Sequence, residues 1–166
     1  MSRGFVREGD QEEVPLVPQR AYLPAGVTNF VTPAGMQLLL DEKQMLLNER
    51  ENPGSGSEDD RRIALNHINA KLRLLNNRIA EARVVDPKDQ PQDEIRFGAT
   101  VTLKNESSGK IQTFQITGVD EADIAAGKIS FISPLSRVLM NRKAGERIAL
   151  KRDNKDIIYL IMGIEY

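Results

Sequence analysis

Five carboxylates stand close together between positions 49 and 60. Glu49 and Glu51 precede the break Asn52-Pro53-Gly54-Ser55-Gly56-Ser57, and Glu58, Asp59 and Asp60 follow it. Carboxylates at that density either serve as hard oxygen ligands for a divalent cation, or complement a helix dipole beside a solvated loop of serine and glycine. Few other reactive groups are present. The chain has no cysteine, which excludes disulfides, thiolate metal sites and a cysteine nucleophile, and suits a cytoplasmic protein. A single histidine, His67, argues against a histidine-dependent catalytic site or a multi-histidine zinc site. His67 lies one position off an apolar seam and reads as a packing or surface residue.

The flanking elements explain the break. Thr32 is suited to cap a helix and Pro33 to occupy its first position, where a missing N–H costs nothing. Met36, Leu39, Leu40, Leu46 and Leu47 then recur on one stripe until Asn52-Pro53-Gly54 stops the helix. Beyond Ser57 a second helix carries Leu65, Ile68, Leu72, Leu75, Ile79 and Ala82 at alternating spacings of three and four, a heptad seam. Each helix alone would leave its stripe uncovered. The spacing therefore predicts an antiparallel coiled-coil hairpin, with helices near 33–51 and 58–84, and makes the acidic break its tip rather than a linker.

On either side of the hairpin (32–86) the character changes. Residues 1–31 are proline-rich, carry the acidic cluster "EGDQEE" and have little periodicity, as expected of an extended arm. Phe5, Val6, Leu16, Val17, Tyr22 and Phe30 are candidates to pin it to the body. After "VVDPKDQPQDE" the period becomes two. The segments "IRFGATVTLKN", "KIQTFQITGV", "KISFIS", "RIALKR" and "DIIYLIMGIEY" read as strands with turn signals between them. "SPLSRVLMNRKAGE" reads as a short helix capped by Ser133. The fold class is thus α+β, a helical hairpin followed by a small, mostly antiparallel β domain over 87–166. Phe97, Gly98, Val101, Phe114, Ile116, Ile129, Phe131 and Ile161 are its expected core and turn positions. The N-terminus lacks a signal-peptide h-region and no run is long and apolar enough to span a membrane. The net charge of −1 makes charge pattern, not total charge, the thing to read.

The segments "AEARVVD", "FGATVTLKN", "ITGVDEADIAAGKISFISPLSRVLMNRKAGE" and "IMGIEY" carry a resemblance. In order and spacing over residues 80–166 they resemble the bacterial GreA/GreB transcript cleavage factors, and the hairpin matches in kind and position but is shorter than the family's coiled coil. Residues 1–31 have no counterpart in the standard members. The resemblance implies an FKBP-like C-terminal domain, without prolyl isomerase activity, that docks on RNA polymerase at the rim of its secondary channel. It implies a coiled coil that enters the channel and a tip whose acids help to hold a second Mg²⁺ in the polymerase's own active site, where backtracked RNA is cleaved. On this view the chain is an accessory factor, expected to act as a monomer, with no complete active site, no cofactor of its own and no membrane association.

The family's D-x-x-E-N-like tip is missing here, and "ENPGSGSEDDRR" stands in its place. No single acid pair matches it. Asp59 and Asp60 rank first as metal-assisting residues, then Glu58, with Glu51 nearby. From 49 to 60 there are five acids and one base, and from 61 to 83 six bases and one acid. An acidic tip on a basic stem suits the family's contact with RNA or polymerase, through Arg61, Arg62, Lys71, Arg73 and Arg78. In the globular part Asp120, Glu121 and Asp123 are expected to form an exposed acidic turn facing polymerase. Ser133, Pro134 and Arg137 match the family's S-P-x-x-R, which makes them candidates either for polymerase contact or for a structural role. A second function is open as well: a non-cleaving channel binder resembling the regulator of nucleoside diphosphate kinase.

Overall fold

The computed structural model describes residues 15–166. Phe5, Val6 and the acidic cluster near the start lie outside the described residues. Helix α1 (Pro33–Glu51) begins where the sequence demands, with the Thr32 hydroxyl accepting from the Gly35 amide and Pro33 in the first turn. Helix α2 (Glu58–Glu81) starts on a reciprocal capping box between Ser57 and Asp60. The two helices pair through Leu39, Leu46, Ile68, Leu72 and Leu75, all buried, with Met36, Leu47 and Ile79 partly buried beside them. Leu40 is exposed, so the α1 stripe is narrower than expected.

Two strands form the base of the hairpin. β1 (Asn29–Val31) precedes α1, and β2 (Ala82–Val84) follows α2 directly, so the second helix ends three residues earlier than its seam suggests. They pair in parallel, Asn29 opposite Ala82 and Val31 opposite Val84. The buried Asn29 amide donates to the Arg78 carbonyl at 3.1 Å, satisfying the last turn of α2. Val31 joins the hairpin core, whereas Phe30 points the other way into the second body. The alternation of a strand thus lets three residues serve two cores.

The second body is a five-stranded sheet in the order β5–β4–β3–β7–β6. It comprises β3 (Thr100–Asn105), β4 (Ile111–Thr117), β5 (Lys128–Ser130), β6 (Arg147–Arg152) and β7 (Lys155–Glu165). All neighbours are antiparallel except β4 and β5. A register irregularity between Thr102 and Leu103 interrupts the β3–β7 ladder and lets the sheet curl. Helix α3 (Pro134–Leu139), capped by Ser133, sends Leu139 into the core beside Ile95, Val101, Leu103, Ile116 and Ile161. Gly98 adopts φ +90, and an added Cβ there would meet Pro87 Cγ at 2.9 Å, so a side chain is excluded twice over. The structure is α+β, in agreement with the sequence.

Candidate functional site: the acidic tip and the junction beneath it

Of the tip acids, the structure leaves some free and engages one. Asp59 is 82% exposed and makes only a loose i,i+3 contact with Arg62 at 3.5 Å. Glu49, Glu51 and Glu58 are exposed. Asp60, in contrast, is held by the cap. Its Oδ2 accepts from the Ser57 hydroxyl at 2.8 Å and from the Ser57 amide at 3.2 Å, while its own amide donates back to the hydroxyl. Among the described residues no three acids or histidines converge on a point where they could hold a metal ion. Of the pair ranked first from the sequence, Asp59 is the freer carboxylate, because Asp60 is committed to the cap.

Along the stem, Arg61, Arg62, Lys71 and Arg73 are exposed as expected. Arg78 is not. Its side chain is 12% exposed, its Nε lies 3.3 Å from Asp120 Oδ2, and its Nη2 donates to the Ala21 carbonyl. The contact with Asp120 Oδ2 is an ion pair without the alignment of a hydrogen bond. Arg78 therefore ties the stem to the body and is withdrawn from the basic face.

The acidic turn needs a matching correction. Of Asp120, Glu121 and Asp123, only Asp123 is exposed, and its side chain caps the short 3-10 turn at Ile124–Ala126. The Asp120 side chain is 9% exposed between two guanidinium groups. Arg20 Nε and Nη2 donate to its Oδ1 at 3.1 and 3.0 Å, and Arg78 faces its Oδ2. The Glu121 side chain is 2% exposed. It accepts from the Thr32 hydroxyl, which caps α1, and from Lys128 Nζ at 3.2 Å. Charge exposed at a turn is what two adjacent acids ordinarily mean. Here their partners come from the arm, both helices and β5, at sequence distances that no local pattern reveals.

These contacts belong to one junction. Phe30 packs between Phe97 and Phe131 with ring centroids 5.8 and 5.7 Å away, tilted and edge-on. A Cβ on Gly118 would stand 2.6 Å from the Phe30 carbonyl oxygen, and one on Gly35 would stand 2.8 Å from Glu121 Oε1. The obstacle at Gly118 is backbone, so glycine is required there by close approach; at Gly35 it is the end of the Glu121 side chain, which would have to shift. The expectation that the arm is pinned by apolar residues is met by Phe30, whereas Leu16 and Tyr22 are 91% and 76% exposed. Arg20 supplies the other anchor. Its Nη1 and Nη2 fork onto the Glu42 carboxylate of α1 at 2.8 and 3.0 Å while its Nε edge holds Asp120. The hydrogen bond to Glu42 is the leading cause that raises the Arg20 pKa above its ordinary value, against the opposing effect of burial.

Ser133, Pro134 and Arg137 divide similarly. The Ser133 hydroxyl accepts from the Ser136 amide at 3.2 Å, and Ser136 Oγ donates to the Ser130 carbonyl at 2.7 Å, so the serines build the α3 start. Pro134 and Arg137 are exposed on that helix. Near the chain end, the Tyr166 hydroxyl donates to the Glu94 carbonyl and accepts from the Arg96 amide at 2.7 Å.

Residues 90–166 match the family model described as transcription elongation factor, GreA/GreB, C-terminal. The transcription elongation factor GreB of Neisseria meningitidis is 35% identical over 155 residues, covering 83% of this chain and 94% of that protein. GreA of Desulfovibrio desulfuricans is 32% identical over 117 residues, 70% of each chain. The solved GreA/GreB factor of Nitrosomonas europaea shares 20% identity over 82% of this chain and 98% of its own, with a TM-score of 0.42. A conserved-length relative at this identity, together with the matched C-terminal body, places the chain: it belongs to the GreA/GreB family of transcription elongation factors.

Proposed function

We propose that this elongation factor docks on RNA polymerase, inserts its hairpin into the secondary channel, and stimulates cleavage of backtracked RNA in the polymerase's own active site. The observation that carries the reading is the contrast between the two ends of the hairpin. The base is locked to the body by buried contacts, whereas the far end presents exposed carboxylates led by Asp59. A protein that merely needed a helix dipole complement has it in the capping box; Asp59 and Glu58 are surplus to that purpose. In two-metal phosphoryl chemistry, a carboxylate delivered to a partly formed site supports a second Mg²⁺ and helps to orient the attacking water. The chain itself supplies reach, orientation and that one ligand. The exposed bases Arg61, Arg62, Lys71 and Arg73 lie behind the tip, where a phosphate backbone or polymerase acids would be met. Pro134, Arg137 and Asp123 are the exposed members of the docking set that the family resemblance suggests.

One observation favours a second reading, a channel binder that does not cleave. Helix α1 has 19 residues, roughly 28 Å at 1.5 Å per residue, and its first turn is committed to the junction. A tip that falls short by more than an Mg–O bond, about 2.1 Å, ligates nothing. RNA cleavage in stalled elongation complexes, with polymerase binding measured alongside, separates the two. Weak, Mg²⁺-dependent stimulation is expected from the parent protein and none from Asp59→Ala at unchanged affinity. Equal cleavage by both would remove Asp59 from the mechanism. Tight binding with no stimulation by the parent would establish the non-cleaving reading.

A further inference from the structure

We propose that residues 15–31 form a strap whose clasp, Arg20, sets the angle of the hairpin on the body, which makes Arg20 a positioning residue for the tip acids. The family model covers 90–166 only, and Arg20 lies far outside it. Within the described residues this side chain belongs to neither body yet holds both. Its fork takes Glu42 on α1 with two bonds, and its Nε edge takes Asp120 on the turn after β4. A planar guanidinium with donors on two edges can bridge two carboxylates in a fixed geometry, which a lysine cannot. At 17% exposure the Arg20 side chain is shielded enough for these bonds to persist against screening by salt.

Where the clasp grips matters more than how tightly. The other junction contacts lie near the foot of the hairpin: Thr32 to Glu121 and Phe30 to Phe97 and Phe131 at the start of α1, and Arg78 to Asp120 in the last turn of α2. Glu42 stands nine residues past Pro33, about 13 Å up the helix axis. Contacts at the foot alone form a pivot; a second grip higher up resists rocking about it. Rocking by roughly 5° would move a tip roughly 28 Å away by about 2.5 Å. That exceeds an Mg–O bond of about 2.1 Å, and misplacement by 1 Å can cost about a hundredfold in rate. The strap also avoids a penalty on removal. Without Arg20, Asp120 keeps Arg78 as its counter-ion and Glu42, 37% exposed, returns to water. Loss of Arg20 should therefore loosen the hairpin without unfolding either body.

The effect on cleavage rests on the reading of the tip above, whereas the effect on the angle does not, and the test keeps them apart. The chain contains no cysteine, so Arg61→Cys on α2 and Ser107→Cys on the body allow a pair of spin labels to be placed uniquely. Their distance distribution is measured by pulsed electron resonance in the otherwise unaltered full chain and after Arg20→Ala, Arg20→Lys or Glu42→Ala. The parent should give one narrow distribution. Arg20→Ala should at least double its width with no change in the two bodies' secondary structure, Glu42→Ala should do the same, and Arg20→Lys should fall between. In unlabelled protein, Arg20→Ala should lower stimulated cleavage tenfold or more, with polymerase affinity within twofold of the parent. A distribution as narrow after Arg20→Ala and Glu42→Ala as before overturns the strap. Undiminished cleavage by a demonstrably loosened hairpin overturns the positioning role. Absence of cleavage by the parent defeats the tip reading alone, because the distances still decide the strap.

Discussion

At the scale of single residues, neighbouring acids of the same type do different work. Asp60 closes a capping box and Asp59 next to it is free; Asp120 and Glu121 are sunk in ion pairs while Asp123 caps a surface turn. A double substitution of Asp59 and Asp60 would therefore confound a lost ligand with a lost cap, and Asp59→Ala alone is the cleaner probe. Tyr166 offers a pH-dependent prediction at the same scale. Burial is the leading cause that raises its phenol above the ordinary tyrosine value near 10, and the neutral hydroxyl both donates to Glu94 and accepts from Arg96. A raised folded-state pKa means the stabilisation is fully present below the unfolded value and is lost as pH rises through the folded one. Tyr166→Phe is expected to cost about 1–2 kcal/mol near neutrality. In urea titrations the gap between parent and variant should narrow above about pH 10; a gap independent of pH would discount the hydroxyl.

At the scale of elements, the hairpin and its footing differ in how they tolerate change. The seam of α1 and α2 follows from spacing alone, and Leu39, Leu46, Leu72 and Leu75 are buried where heptads put them. The β1–β2 ribbon could not be read that way. Three-residue strands carry too little pattern, and "ARV" continues a helical sequence until its pairing with "NFV" decides otherwise. That ribbon lies against the turn after β4 at Gly118, where a methyl group would stand 2.6 Å from the Phe30 carbonyl oxygen. Because the obstacle is backbone, neither partner can simply rotate aside. Gly118→Ala is expected to destabilise by about 1–3 kcal/mol, read as a lower urea midpoint. An unshifted midpoint would show that the ribbon can lift from the turn at little cost.

At the scale of the whole molecule, two cores are joined by a charge cluster that is neutral overall, Arg20 and Arg78 against Glu42 and Asp120. The members are not equivalent. Removing Arg20 leaves every buried charge with a partner; removing Asp120 leaves two guanidinium groups side by side with only Glu42 to answer them. Breaking a buried ion pair from one side costs about 3–5 kcal/mol. Asp120→Ala should thus cost about 3 kcal/mol, several times the effect of Arg20→Ala, and should split calorimetric unfolding into two transitions as the bodies uncouple. Equal losses from the two variants would mean that Arg78 does not hold Asp120 as the geometry indicates.

Much of this protein could be read from its residues in order. The capping residues Thr32, Ser57 and Ser133, the proline at each helix start but one, the heptad seam and the period-two strands are local signals, because each depends on neighbours a few positions away. The family, too, was legible in segments such as "FGATVTLKN" and "IMGIEY". What only the tertiary structure decided is which charges are spent internally. Arg20 is 100 residues from Asp120, Arg78 is 42 from it, and Thr32 is 89 from Glu121. A carboxylate in a turn looks the same in sequence whether it faces water or a guanidinium brought from elsewhere. Only the folding of arm, hairpin and sheet onto one junction separates the acids that hold this molecule together from those left free at its tip.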